Sequence, residues 1–305
     1  MAKPIPGFDP RQKMLLPDFE VAHKWDTDLK DVELHHHDFY EVDFLISGDV
    51  TYVIESRVYH VEPGQMLIIN PRELHQVYIQ PDAAPYERYM LWITPDFLQS
   101  LSSAQTDLCR CFDMTRPRYG NLLHLTPQQQ KLIPAMMESL LREQEQPTFG
   151  SDLMRQNLLT ELMIHINRLA EHSDPPCPAD ENTTVSQVIA YINDHYYEPL
   201  TLELLADRFF ISKYHLSHEF TRQIGTGFYQ YLQKKRLLIA RQLMTQGHKP
   251  VEVHTLCGFC DYASFFRAFR NVYGLTPRAF VQSLNNNLQT TGRKANNVLA
   301  NITAK

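Results

Sequence analysis

Apolar and polar residues alternate with a period near two in short runs over the first third of the chain, and with a helical period over the rest. The runs 41–48, 50–56, 58–61, 65–70, 75–80 and 88–93 are rich in Val, Ile, Tyr and Phe, and Gly48, Pro63-Gly64, Pro71 and Pro81 punctuate them. Many short strands at close, even spacing predict a small barrel or sandwich over about 20–95. Residues 1–20 are Pro-rich and read as an arm. Residues 127–146 and 151–172 are predicted helices. In the second, Leu159, Leu162, Ile166 and Leu169 recur every three or four positions. That seam suits either a core stripe or a helix pair between subunits; two amphipathic helices placed before a linker favour a dimerisation surface.

The linker is 173–184, polar and broken by Pro175, Pro176 and Pro178. From 185 to 284 the chain reads as short helices, and the Asn-rich 285–305 as a frayed tail. Two similar segments recur in this half. In 200–225 a short helix carrying Leu202, Leu205 and Ala206 meets a turn at Phe210-Ile211. Ser212 then caps a second helix that turns Leu216 and Phe220 inward and ends at Gly225. In 251–277 a short helix meets Gly258-Phe259, and a helix from about Asp261 buries Phe265 and Phe269 and ends at Gly274. Each is a helix–turn–helix in outline. A long helix over 227–246 joins them. On helices, residues three and four apart share a face, so Tyr214, Ser217 and His218 line one exposed face, and Tyr262, Ala263, Phe266 and Arg267 the other.

Charge sharpens this division. The net charge of −6 hides an acidic stretch, with 15 Lys and Arg against 28 Asp and Glu in 1–184, and a basic one, with 14 against 7 in 185–305. A basic helical half suits nucleic acid, and an acidic half suits a different partner. No run reaches the ~18 apolar residues of a membrane span, and MAKPIPGFDP lacks the apolar stretch of a secretory leader. Five cysteines without a framework spacing fit a reducing cytoplasm. Cys257 and Cys260 have half the spacing of a zinc site, without a second pair nearby. No phosphate-binding loop, dinucleotide fingerprint or nucleophile triad is present.

The basic half resembles the AraC/XylS family of bacterial transcription regulators. The match rests on PLTLELLA (199–206), S-x-x-x-L-S-x-x-F (212–220), R-x-x-x-A (236–240), GF-x-D-x-x-x-F-x-R-x-F (258–269) and G-x-TP (274–277), in that order. It departs from the family at Phe210, where a small residue or glycine is common, and at His254, where alanine is common. The resemblance implies two recognition helices entering successive major grooves of promoter DNA. Base contacts would come from Tyr214, Ser217, His218, Tyr262, Ala263, Phe266 and above all Arg267, and further DNA contacts from Ser212. Lys213, Arg222 and Arg270 would touch phosphates. RNA polymerase is the implied protein partner, and activation the implied output.

In the acidic half, His35, His37, Glu41 and Gly48 fit the cupin form H-x-H-x3-E-x6-G, with His75 following loosely. In metal cupins such residues converge, because alternate strand residues face one way. Sensor domains of this family resemble cupins and often keep the histidines without a metal. The expectation is therefore an effector pocket lined by His35, His37, Glu41 and His75 with Trp25, Tyr40, Tyr52, Tyr89 and Trp92, holding a small polar molecule such as a sugar. No metal or cofactor is expected; those four residues are the candidate ligands if there is one.

The expected architecture is an α+β chain of two domains. Residues 1–172 form a cupin-like β-barrel (about 20–95) followed by dimerisation helices (about 127–172). After the linker, 185–284 form an all-α double helix–turn–helix. The expected function is a cytoplasmic, homodimeric transcription regulator, not an enzyme and not membrane-bound. The alternatives are a metal-dependent cupin enzyme, such as a dioxygenase or isomerase, and a regulator controlled by a protein bound to the barrel.

Overall fold

The two-residue alternation becomes short strands in two antiparallel sheets. A computed structural model of the chain describes residues 14–172 and 184–284, apart from 28, 30, 56, 81–83, 117 and 118. Most of the expected arm, most of the linker and the whole tail lie outside the described residues. Strands β1 (Phe19–Asp26), β8 (Tyr86–Ile93), β3 (Tyr40–Ser47), β6 (Met66–Ile69) and β9 (Leu122–Leu123) form one sheet in that order. Strands β2 (Asp31–His35), β7 (His75–Ile79), β4 (Val50–Ile54) and β5 (Arg57–Val61) form the other. Strand β9 lies beyond the expected barrel and closes its sheet by pairing Leu122 and Leu123 with Leu67 and Met66.

Helices α1 (Pro95–Ser100), α2 (Gln129–Glu145) and α3 (Ser151–His172) follow the main strands, with a 3-10 turn at Arg110–Phe112. Residues of opposite parity on the larger sheet serve two different cores. Val42, Phe44, Leu91 and Ile93 pack against Met137, Leu140, Leu162 and Ile166 of α2 and α3. Leu45, Leu67, Ile69 and Tyr86 face Tyr52, Ile54 and Val77 of the smaller sheet. The layers of this unit are therefore sheet, sheet and helices.

This arrangement corrects the expectation for α3. Leu159, Leu162, Ile166 and Leu169 all lie in the first of these cores, and the first three have no exposed surface. A helix lying on a sheet needs the same apolar stripe as a helix paired with another helix, so the spacing alone did not separate the two.

The chain divides into two compact units at Ile189/Ala190, within α4 (Thr184–His195). The second unit is helical: α5 (Leu202–Arg208), α6 (Lys213–Ile224), α7 (Phe228–Thr245), α8 (Pro250–Leu256) and α9 (Tyr262–Tyr273), with further helical residues at 277–284. Thr201, Ser212 and Asp261 cap α5, α6 and α9, each side chain accepting a backbone N–H three residues on. Helix α7 belongs to both halves of the unit. Its Phe228 and Tyr231 meet Phe220 of α6 edge-on, while its Leu237, Ala240 and Met244 pack with Val253, Phe265 and Phe269 of α8 and α9.

The two helix–turn–helix bends share one backbone conformation. After α5, Phe210 has φ 55°; after α8, Gly258 has φ 78°. In both, the next amide reaches back five residues, from Ile211 to the Ala206 carbonyl and from Phe259 to that of His254. The departure at Phe210 thus leaves the bend in its left-handed form, with the phenyl ring 95% exposed. The other departure, His254, is accommodated at the end of α8, where its ring donates to the Val251 carbonyl and meets Tyr262 edge-on.

Candidate functional site

Strand parity decides which sequence candidates meet inside the barrel. Glu41 pairs with Trp92 across β3 and β8, and the Trp92 indole donates to Glu41 Oε1 at 3.0 Å. His35 pairs with His75 across β2 and β7, with ring centroids 4.1 Å apart. His37, just after β2, places Nε2 2.6 Å from Glu41 Oε2, and His75 Nε2 lies 3.5 Å from the same oxygen. All four residues are buried, and one ring nitrogen from each histidine lies within 4.8 Å of the others. Tyr52 is inside as well, donating to Asp43 Oδ2 at 2.7 Å.

Three expected pocket residues are elsewhere. Tyr40 precedes Glu41 by one position, so it faces the helices, where it stacks on Phe112. Tyr89 has the parity of Leu91 and stacks on His23. Trp25 has the parity of Val21 and is 60% exposed. Counting residues from Glu41 and Trp92 in steps of two would have separated Tyr40 and Tyr89; Trp25, on another strand, needs the β1–β8 register as well.

The same count finds what composition missed. Asp43 lies two residues from Glu41, and Tyr86 and Arg88 lie in step with Trp92. The Tyr52 and Tyr86 hydroxyls are 2.5 Å apart, and Arg88 stacks over the Tyr86 ring and donates to Asp26 Oδ2 at 2.8 Å. A buried strip of titratable groups thus runs along the barrel interior. Burial, then the neighbouring Glu41 carboxylate, raises the Asp43 carboxyl to about 7. Burial also tends to raise Glu41, but His37 and His75 outweigh it and hold that carboxylate well below its usual range. Burial depresses His35 strongly, with His75 and His37 adding to the effect, and depresses His37 against the pull of Glu41. For His75, burial is outweighed by Glu41, and its value rises.

In the helical unit the outward faces of α6 and α9 carry the expected DNA contacts. Tyr214 is 82% exposed and His218 is exposed beside it, while Ser217 is half-buried. Ser212 is occupied as the α6 cap. Lys213 is paired with Glu203, and Arg222 with Glu219, whose Oε2 lies 2.6 Å from its Nη2. On α9, Ala263, Arg267 and Arg270 are exposed, Phe266 is half-buried, and Tyr262 packs against the core. Phe266, Arg267 and Arg270 border an open groove of about 780 Å³ that reaches Gln233 of α7. Arg236 of α7 points inward, donating to the carbonyls of Tyr196 and Glu198, both at 2.7 Å. Among the described residues no helix is long and apolar enough to cross a membrane.

Residues 19–163 match the AraC-like ligand binding domain, and residues 205–283 match a helix-turn-helix domain, together nearly three quarters of the chain. The uncharacterized HTH-type transcriptional regulator YbfI of Bacillus subtilis is 27% identical over 231 residues, spanning 74% of this chain and 78% of that protein. The HTH-type transcriptional activator RhaS of Escherichia coli K12 is 25% identical over 257 residues, spanning 84% and 89%. Among solved structures, ToxT from Vibrio cholerae O395 is matched over 88% of this chain and 98% of its own, with 9% identity and a TM-score of 0.37.

A strand domain of the ligand-binding kind, followed by helix–turn–helix units, defines a DNA-binding transcription regulator with its own ligand-binding domain. The relatives by sequence are HTH-type transcriptional regulators by name. This chain belongs to the AraC family.

Proposed function

We propose that the chain activates transcription from promoter DNA in response to a small polar effector held between its two sheets. The observation that carries the DNA half is the paired presentation of α6 and α9, each capped at its N-terminus and each turning an unburied face outward. Arg267 is the leading base-reading residue, because a guanidinium can bond guanine through two parallel hydrogen bonds. Tyr214, Ser217, His218, Ala263 and Phe266 flank the two reading faces. Lys213, Arg222 and Arg270 hold phosphates. The contribution of Ser212 is to set the start of α6.

The effector half rests on the buried polar strip of His35, His37, Glu41, His75, Asp43 and Arg88, with Tyr52 and Trp92 beside it. Rings together with hydrogen-bonding groups suit a sugar or related metabolite. RhaS, an activator by name, supports activation and hence contact with RNA polymerase. A cytoplasmic homodimer fits the same reading, since linking two DNA-binding units raises their affinity; its contact surface lies outside the α3 seam. Residues 1–172, with the linker behind them, are the sensing part and 185–284 the DNA-binding part. The relatives being regulators favours this over a cupin enzyme.

Footprinting with the wild type and Arg267→Ala tests the core of the reading. The variant should lose about 1–3 kcal/mol at one base position and relax specificity there. Unchanged affinity and base preference in a folded variant would reduce α9 to a scaffold. A metabolite panel read by thermal midpoint tests the effector, since a bound ligand raises the midpoint by mass action. Flat curves throughout would favour a protein partner for the barrel.

A further inference from the structure

The geometry points to a divalent transition-metal site inside the barrel, formed by the Nε2 atoms of His35, His37 and His75 and the carboxylate of Glu41. This goes against the expectation that the sensor holds no metal, and it does not depend on which organic effector the chain takes.

The tautomers carry the argument. His35 Nδ1 lies 2.9 Å from the Glu33 carbonyl, His37 Nδ1 2.8 Å from that of Phe39, and His75 Nδ1 3.1 Å from that of Glu73. A carbonyl oxygen only accepts, so each Nδ1 must carry its hydrogen. That commits Nδ1 in all three rings and gives the ligand role to Nε2. Metal-bound histidines are held in this way, with the second ring nitrogen donating to a carbonyl or carboxylate that fixes tautomer and ring orientation. The three rings, from the two stretches 33–39 and 73–75, make the same kind of local bond, each to a carbonyl two residues away.

The donor set and its spacing fit an ion. Bonds of about 2.0–2.1 Å to imidazole nitrogen put neighbouring donors roughly 3.4 Å apart in a tetrahedron. One ring nitrogen from each histidine lies within 4.8 Å of the others, close enough for small side-chain adjustments to bring the rings onto one ion. Glu41 Oε2 already faces His37 Nε2 at 2.6 Å and His75 Nε2 at 3.5 Å. With His37 Nδ1 committed to Phe39, the short contact to Glu41 requires a shared proton, and a cation would replace that proton at the same point. The Trp92 indole, bonded to Glu41 Oε1, leaves Oε2 directed at the histidines. Three neutral nitrogens and one carboxylate oxygen select a first-row transition ion over Mg²⁺ or Ca²⁺, which take oxygen ligands.

The full chain, stripped with chelator and dialysed, is titrated with Zn²⁺, Ni²⁺ and Co²⁺, with Mg²⁺ as the hard-ion control. One equivalent of each transition ion should bind per chain and raise the thermal midpoint, and Mg²⁺ should do neither. His35→Gln and His75→Gln should each lose about tenfold or more in affinity. His60→Gln, at an exposed histidine of β5, should bind as the wild type does. X-ray absorption of the zinc-loaded wild type should count three imidazoles, a readout that stands even where a variant fails to fold. Binding below half an equivalent, a count of one imidazole or none, or full affinity in both cluster variants would overturn the site. DNA binding is measured separately on the stripped chain, so loss of the regulator reading and loss of the metal site give different results.

Discussion

The two bends of the DNA-binding unit should respond oppositely to reciprocal substitutions. A Cβ built on Gly258 would stand 2.7 Å from the Tyr197 carbonyl oxygen, 2.8 Å from that of Tyr196 and 2.9 Å from the Tyr197 carbonyl carbon. All three are backbone atoms and cannot rotate away. Gly258→Ala therefore adds overpacking of about 1–3 kcal/mol to a left-handed backbone penalty of about 1–2 kcal/mol. A loss of roughly 2–5 kcal/mol should follow. Phe210 occupies the matching conformation with its ring in solvent, so Phe210→Gly removes a penalty of about 1–2 kcal/mol. Against this stands about 0.4–1 kcal/mol for the greater freedom of glycine in the unfolded chain. The net should be a gain near 0.5–1 kcal/mol. Urea unfolding separates the two units by difference: both tryptophans, Trp25 and Trp92, lie in the strand unit, so the part of the far-ultraviolet dichroism change that fluorescence does not follow reports the helical unit. Gly258→Ala should lower the dichroism midpoint, Phe210→Gly should raise it, and the fluorescence midpoint should stay put. Shifts in the same direction would refute the equivalence of the bends.

Leu162→Asp places a carboxylate in a fully buried core position, so it should unfold the strand unit, seen as loss of its fluorescence transition; a folded monomer would instead return the α3 seam to a subunit interface. Glu219→Gln releases Arg222 from its ion pair, and binding should tighten on every DNA sequence with a steeper salt dependence; unchanged affinity and slope would remove Arg222 from the phosphate contacts. Burial pushes the Cys257 thiol up to about 12, whereas Cys260 is exposed. Iodoacetamide at pH 8 should therefore modify Cys260 and spare Cys257, as read by peptide mass mapping, and labelled Cys257 in the folded chain would contradict that burial.

Local rules were readable in the chain, and pairings between distant strands were not. The caps at Ser212 and Asp261 and the stops at Gly225 and Gly274 depend on residues within a turn or two, and each stands where the spacing put it. The strands with strong alternation were equally plain, while β9, two residues long and far along the chain, carries no periodic signal. Inside the barrel, His35, His37, Glu41 and His75 meet because their motif reflects strand parity. Tyr40, Tyr89 and Trp25 were proposed from residue type, and parity put them on another face. Arg88 and Asp43 escaped notice because their partners, Asp26 and Tyr52, become neighbours only when the sheets assemble.

The clasp made by Arg236 on the Tyr196 and Glu198 carbonyls has a consequence for the DNA itself. It ties the end of α4 to α7, and the adjoining Tyr197 carbonyl closes down on the α8–α9 bend at Gly258. Because α7 packs on both α6 and α9, the two helices proposed to read DNA share one handle, and a stiff handle would couple their rotation. Torsional phase along the operator then becomes a property of the protein. With about 10–10.5 base pairs per helical turn, inserting one pair between the two contacted segments turns one against the other by roughly 35°. A stiff handle cannot follow that rotation, so the DNA must twist or bend to restore the phase, or one helix must let go.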